Sequence, residues 1–167
     1  KENCYLNWKP LLKQYVFMNN IRIEIKPFKE LFIEELYQVL ALRNRIFIVE
    51  QNCVYEDIDD SDHKADHLMF WDGDTLVAYA RLFDYGIKYD NAACIGRVLV
   101  ERGYRKFGFG HQLIKQAVRY INENYATQSI EIGAQEHLSA FYKSHGFRIT
   151  SECYLEDGIP HIQMRIE

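Results

Sequence analysis

A run of basic residues and glycines in the second half of the chain could bind an anion. It reads Arg105-Lys106-Phe107-Gly108-Phe109-Gly110, and apolar residues recur at helical spacing directly after it. The first amides of a helix lack intrahelical partners, and the helix dipole places partial positive charge there. Glycines let a ligand approach the bare backbone, and the two basic side chains add charge. This order favours a phosphate-binding turn, although glycines that merely form a turn remain the plainer interpretation.

The residues after Gly110 exclude two common nucleotide-binding loops. A Walker loop has Lys followed by Ser or Thr after its last glycine, whereas His111 and Gln112 stand here. A dinucleotide-binding fingerprint needs glycines in the order G-x-G-x-x-G, which this stretch does not have. The turn is therefore predicted to bind the phosphate of a ligand that neither a Walker loop nor a dinucleotide-binding loop would hold.

The elements around this turn predict an α/β fold. Apolar residues alternate in some segments and recur at helical spacing in others. The predicted strands are 21–26, 67–71, 75–82, 95–100, 129–134, 147–149 and 161–166, and helical material is predicted at 31–49, after Gly110 and at 138–143. Asp72-Gly73-Asp74 favours an antiparallel hairpin. The connection between Val100 and Ile130 is long enough for a right-handed parallel crossover.

Composition predicts one globular domain without a polymeric partner. The chain has 167 residues, of which 48% are hydrophobic, and 20 basic and 24 acidic residues mix to a net charge of −4. No broad cationic face is expected, so neither nucleic acid nor a membrane is a predicted partner. We expect a cytoplasmic protein in which residues 18–167 form the domain and residues 1–17 are a leader or a remnant of expression cloning.

Neither the cysteines nor the acidic residues predict a metal site. Cys4, Cys53, Cys94 and Cys153 lie far apart without zinc-ligand spacing, which indicates isolated reduced thiols. Residues 56–63 include a dense group of carboxylates that could gather oxygens around calcium. They lack the glycine and terminal Glu of an EF-hand, so we expect a solvated loop and no metal.

Two motifs in this order resemble the GNAT superfamily of acyl-CoA-dependent N-acetyltransferases. One is the Arg-x-x-Gly-x-Gly turn, and the other is the downstream Phe141-Tyr142-x-x-x-Gly146-Phe147. The resemblance covers residues 21–167 and implies the GNAT fold. That fold has a mixed, mostly antiparallel central sheet with helices on both faces and a splayed parallel strand pair at the acyl-CoA site.

Shorter stretches are similar to the ElaA-like subfamily. They are Arg43-x-x-Ile46-Phe47-x-Val49-Glu50-Gln51, Asp59-x-x-Asp62, Gly96-Arg97-Val98, Ala134-Gln135 and the tail at 154–161.

The resemblance implies that acetyl-CoA is the co-substrate. Its pantetheine arm would lie along strand residues Val98, Leu99 and Val100, and its pyrophosphate on the turn formed by Arg105, Lys106, Phe107, Gly108, Phe109, Gly110 and His111. Gln135 stands where many relatives carry Asn that bonds to the pantetheine, and it offers the same amide group on a longer side chain. Tyr142 matches the tyrosine that protonates the leaving thiolate, a task that suits a phenol with a pKa near 10. Packing with Phe141 and Phe147 is its alternative role.

The acceptor side is less specific in the sequence. An ammonium substrate must lose a proton before it attacks a thioester, and Glu50 is the first candidate for this base. His67, His137 and His161 are alternatives. Gln51, Arg97 and His67 are predicted to bind the acceptor. Arg97 lies in an apolar strand and needs an anionic partner, either on the substrate or in the acidic loop.

The sequence thus predicts direct transfer of an acetyl group from acetyl-CoA to a primary amine of a small molecule or peptide. A non-catalytic acyl-CoA-binding or sensing module is the alternative, and a protein that binds another phosphate ligand is a weaker one. The oligomeric state stays open, a homodimer included.

Overall fold

The computed structural model describes residues 21–127 and 129–167. Within them one eight-stranded sheet carries helices on both faces. Its strands are β1 (Ile21–Pro27), β2 (Asp66–Asp72), β3 (Thr75–Phe83), β4 (Ala93–Val100), β5 (Ile130–Gln135), β6 (Arg148–Ile149), β7 (Tyr154–Glu156) and β8 (Ile159–Ile166). The α-helices are α1 (Ile33–Arg43), α2 (Phe109–Asn124) and α3 (Ser139–Lys143). The predicted leader at 1–17 lies outside the described residues.

The strand order is β1-β2-β3-β4-β5-β8-β6, with β7 paired to β8. Neighbours are antiparallel except β4 and β5, which are parallel and joined through α2. The predicted α/β class, the hairpin at Asp72–Asp74 and the parallel crossover are confirmed. Parallel neighbours need a long connection, and α2 supplies it by crossing one face of the sheet.

Alternating side chains of β2 bury both faces of the sheet. Leu68 and Phe70 pack beneath α2, whereas Met69 and Trp71 face α1 on the other side. On α2 the buried residues are Phe109, Leu113, Ile114, Ala117 and Ile121. Their spacing places them on one apolar face of the helix. Packing of this face against the sheet fixes the position of α2.

The helical material predicted at 31–49, as one long helix or two short ones, is α1 followed directly by a wider π-helical segment, Asn44–Glu50. The short strand β7 was not predicted, because three residues carry too little alternation to be recognised. Along the described ranges, no helix is both long enough and apolar enough to cross a membrane.

Candidate active site

A cleft opens between β4 and β5 where their parallel pairing stops. The strands pair only at Ala93–Ile130 and Cys94–Glu131, although both continue for several residues. A cavity of about 120 Å³ lies in this gap. Besides residues 95–98 of β4 and Gly133 of β5, its lining includes Phe47, Gln51, Gln135, Leu138, Tyr142 and His161.

Strand β4 bends at Arg97, which lies on this cleft. Arg97 has a φ of 51°, which is rare for a residue with a side chain. The pairing register with β3 shifts here, so that β4 carries one extra residue. A bulge of this kind bends the strand that contains it. The bend directs the second half of β4 away from β5.

The side chain of Arg97 is anchored in the acidic loop. Its Nε donates to Asp57 Oδ1 at 2.7 Å, and its guanidinium lies over the rings of Phe47 and Tyr55 at 5.9 and 5.6 Å. Of the two partners expected for Arg97, the structure therefore supplies the carboxylate of the loop. Arg97 also lines the cleft, so its position remains compatible with acceptor binding.

The acidic segment is an ion-pair network, which corrects the expectation of a solvated loop. Arg43 is fully buried and donates to Asp57 at 2.9 Å and to Asp62 at 2.6 Å. Arg81 is 2% exposed and donates to both oxygens of Asp59 and to Asp62. Burial opposes ionisation of Asp59, but the hydrogen bonds from Arg81 hold its pKa well below the usual range. The arginines already neutralise the carboxylates that a calcium ion would need.

The predicted phosphate turn has the backbone of an anion site. A 3₁₀ segment, Arg102–Phe107, leads to Gly108, whose φ of 76° suits a glycine, and α2 begins at Phe109. The amides of Phe109, Gly110 and His111 lie in the first turn of the helix, where carbonyl partners are lacking. This end of α2 can therefore bind a phosphate group through its backbone.

The side chains of the turn have different surroundings. Phe109 is fully buried in the core, so only its backbone can reach a ligand. Phe107 packs beside it at 6.3 Å between ring centres, and Lys106 is exposed. His111 Nδ1 lies 2.9 Å from His145 Nε2. The pKa of His145 is lowered by partial burial and by the proximity of His111 and Lys115.

Arg105 joins the turn to the far end of the π-helical segment. Its two terminal nitrogens donate to both oxygens of Glu50 at 2.6 and 3.0 Å, and its Nε donates to the Val100 carbonyl at 3.0 Å. The hydrogen bonds from Arg105 lower the pKa of Glu50. A carboxylate with a lowered pKa holds a proton less readily, which disfavours Glu50 as a general base.

Strand residues 98–100 border the open edge of β4. Val98 lines the cleft, whereas the Leu99 side chain is buried against α1. The chain continues through Val100 into the phosphate turn, so that the open edge of β4 leads directly to the turn.

Tyr142 lies on the cleft at the end of α3. It is 6% exposed and packs edge-on against Phe141 and Phe147, at 5.0 and 5.8 Å between ring centres. Burial raises the pKa of Tyr142 to about 12. The hydroxyl therefore keeps its proton at neutral pH and makes no hydrogen bond to another described residue.

Gln135 and Gln51 meet across the cleft. Gln135 Nε2 donates to Gln51 Oε1 at 3.2 Å, which joins the end of β5 to the residue after the π-helical segment. One of these residues was expected to bind the cofactor and the other the acceptor. The structure brings the two together.

His67 lies away from the cleft. Its side chain is fully buried, with Nε2 3.0 Å from the Asp62 carbonyl and Nδ1 2.8 Å from the Tyr79 hydroxyl. Burial lowers its pKa. Both ring nitrogens are hydrogen-bonded and the side chain is not among those that line the cavity, so the structure places His67 in the buried network and not at the cleft.

Phe47 and Leu138 also line the cavity. The apolar stretch that ends at Glu50 is expected from the sequence to line the acceptor pocket, and Phe47 belongs to that stretch. Leu138 is visible in the sequence only as an apolar position of a short helical segment, and nothing in such a pattern distinguishes a residue that faces a cleft from one that faces the core. His161, one of three alternative bases, also lines the cleft.

The comparisons with known proteins agree with this geometry. The family model described as an acetyltransferase (GNAT) domain matches residues 34–167. Escherichia coli ElaA is 42% identical over 143 residues, which cover 83% of this chain and 91% of that protein. A UPF0039 protein of Schizosaccharomyces pombe is 39% identical over 152 residues, covering 90% and 99%.

Two solved structures extend this similarity to the fold. The crystal structure of E. coli ElaA superposes with a TM-score of 0.82 over 88% of this chain and 99% of that one, at 38% identity. An acyl-CoA N-acyltransferase from Pseudomonas aeruginosa gives a TM-score of 0.81 at 38% identity, covering 86% and 98%. The comparisons give no support to a non-catalytic module. The chain belongs to the GNAT acetyltransferase family and is an ElaA-like acyltransferase.

Proposed function

We propose that this protein transfers an acetyl group from acetyl-CoA directly to a primary amine of a small molecule or peptide. The observation that carries the proposal is the cleft between β4 and β5, which leads along the open edge of β4 to the first turn of α2. An extended pantetheine arm can hydrogen-bond to a strand edge that lacks a neighbour. The diphosphate would then bind the amides at the start of α2.

Tyr142 supplies the proton for the leaving group in this proposal. A thiolate is expelled when the tetrahedral intermediate collapses, and a donor that is protonated at neutral pH can neutralise it. The pKa of about 12 and the position on the cleft support this role. Gln135 and Gln51 can offer amide groups to the substrates on either side of the reacting carbonyl.

Among the residues that the structure describes, the state of the thiols supports direct transfer without an acetylated cysteine. Cys53, Cys94 and Cys153 are free thiols. Cys94 is buried, and burial raises its pKa to about 12. The pKa of Cys153 is raised as well, and Cys53 is buried with its Sγ 3.6 Å from the Asp157 carbonyl. Thiols with raised pKa values are weak nucleophiles, because the thiolate is the reactive form.

The test is release of CoA thiol from acetyl-CoA in the presence of a panel of amines: spermidine, tyramine, lysine and the dipeptide Gly-Gly. The expected result is thiol release that depends on one class of amine, with the acceptor gaining one acetyl group by mass spectrometry. Thermal stabilisation by CoA without amine-dependent release would contradict the proposal and favour a binding module. Stabilisation by ATP but not by CoA would point to another phosphate ligand.

A further inference from the structure

The imidazole of His161 is held in one tautomer at the edge of the cleft. Its Nδ1 lies 2.8 Å from the backbone carbonyl of Ile159. A carbonyl oxygen can only accept a hydrogen bond, so Nδ1 must carry the hydrogen. The neutral ring therefore has its lone pair on Nε2. A hydrogen bond that assigns the tautomer in this way prepares a histidine to accept a proton at one known atom.

The surroundings of His161 leave Nε2 available. The side chain is half-buried and lines the same cavity as Tyr142. Within 21–127 and 129–167, no residue hydrogen-bonds to Nε2. The strand pairing places His161 opposite Gln135 on β5 and opposite Tyr154 on β7, and the Tyr154 ring lies 6.1 Å away. The ring is thus fixed through Nδ1, whereas Nε2 has no hydrogen-bond partner among the described residues and can bind a substrate in the cavity.

We propose that His161 is the general base of this enzyme, a role that rests on the proposed acetyl transfer. His161 Nε2 takes one proton from the ammonium group of the acceptor and passes it to solvent. The freed amine forms a C–N bond to the thioester carbonyl carbon, and the C–S bond then breaks. The nitrogen loses its second proton to solvent, while Tyr142 protonates the thiolate and is reprotonated from solvent. The overall reaction yields amide, CoA thiol and one released proton.

The other candidate bases are less well placed. Glu50 is bound to Arg105 through both carboxylate oxygens, and its pKa is lowered. His67 is fully buried with both nitrogens hydrogen-bonded. His137 is exposed and does not line the cavity. Of the four candidates from the sequence, His161 alone combines a free nitrogen with a place on the cleft.

The decisive variant is His161→Asn. The Asn amide can keep the hydrogen bond to the Ile159 carbonyl, because its nitrogen occupies the place of Nδ1, but it has no equivalent of Nε2. With whichever panel amine the wild type acetylates, we expect kcat/KM at neutral pH to fall by about 10²- to 10⁴-fold. The Kd for acetyl-CoA should not change. The exposed His63→Asn is the matched control and should keep the wild-type rate.

Two readouts distinguish a base from a structural residue. The deficit in kcat/KM of His161→Asn relative to the wild type should shrink as the pH rises, because hydroxide then deprotonates the amine without help from the enzyme. Added imidazole should restore activity to His161→Ala but not to Tyr142→Phe. Wild-type rates in His161→Asn would show that His161 is not the general base, and they would not contradict the proposed acetyl transfer. Absence of amine-dependent thiol release from the wild type would overturn both.

Discussion

The guanidinium of Arg105 binds the carboxylate of Glu50 through two parallel hydrogen bonds of 2.6 and 3.0 Å. This pair links the phosphate turn to the end of the π-helical segment. The sequence predicts that Arg105 binds the cofactor and that Glu50 acts in catalysis. Their contact shows that each also fixes the position of the other side chain.

Glu50→Gln should leave kcat at the wild-type value. The amide removes the charge but keeps the shape, and a residue that only positions the turn does not act in the chemical step. The KM for acetyl-CoA should change by no more than about fivefold, because exposed ion pairs contribute up to about 1 kcal/mol. Steady-state kinetics with acetyl-CoA varied measure both parameters. A loss of about a hundredfold in kcat at unchanged KM would instead make Glu50 the base.

Tyr142→Phe should lower kcat by about 10²- to 10⁴-fold, the range for loss of a general acid. The phenyl ring retains the packing with Phe141 and Phe147, so acetyl-CoA affinity and the melting temperature should be preserved. Since the pKa of Tyr142 is about 12, its acid form persists at every lower pH. The wild-type kcat should therefore not decline between neutral pH and about pH 10. Tyr37→Phe, on the exposed face of α1, is the matched control.

The two glycines of the phosphate turn should respond differently to alanine. Gly108 has a φ of 76°, where a Cβ costs roughly 1–2 kcal/mol, so Gly108→Ala should lower the free energy of unfolding. At Gly110 an added Cβ would meet Phe141 at an ordinary 3.6 Å, so Gly110→Ala should not destabilise the fold.

Gly110→Ala should nevertheless weaken acetyl-CoA binding by about tenfold or more, equivalent to about 1.4 kcal/mol. The methyl group would lie on the first turn of α2, where the diphosphate is proposed to approach the amides. Isothermal titration calorimetry measures the affinity, and urea unfolding shows that the fold is intact. An unchanged Kd in a stable Gly110→Ala protein would place the diphosphate elsewhere.

Arg43→Met should destabilise the protein strongly. Removal of the guanidinium breaks two buried ion pairs and leaves Asp57 with Arg97 and Asp62 with Arg81 as their remaining cationic partners. Breaking a buried ion pair typically costs about 3–5 kcal/mol. The free energy of unfolding in urea measures the loss. Arg119→Gln removes an exposed pair with Glu123 on α2 and should leave that free energy unchanged. Equal stabilities of the two variants would show that the acidic loop does not depend on Arg43.

Much of the fold could be predicted because it depends on local periodicity. Residues 21–26 alternate, residues 113–121 repeat at helical spacing, and Asp72-Gly73-Asp74 favours a turn, so β1, α2 and the β2–β3 hairpin were recognisable. The π-helical form of Asn44–Glu50 could not be recognised in the sequence, because its apolar residues also fit an ordinary helix. The three-residue β7 depends on pairing with β8, a contact that sequence spacing does not encode.

The sequence by itself determined the α/β order, the glycine turn at the start of α2 and the Phe141-Tyr142 motif, because each depends on neighbours along the chain. Only the tertiary structure decided which charges meet: Arg105 with Glu50, and the buried arginines with the acidic loop. It also separated His67 from the cleft and placed His161 on the cleft that Tyr142 lines. These outcomes depend on strand register and on where β4 bends away from β5, and both are set by packing between segments distant in sequence.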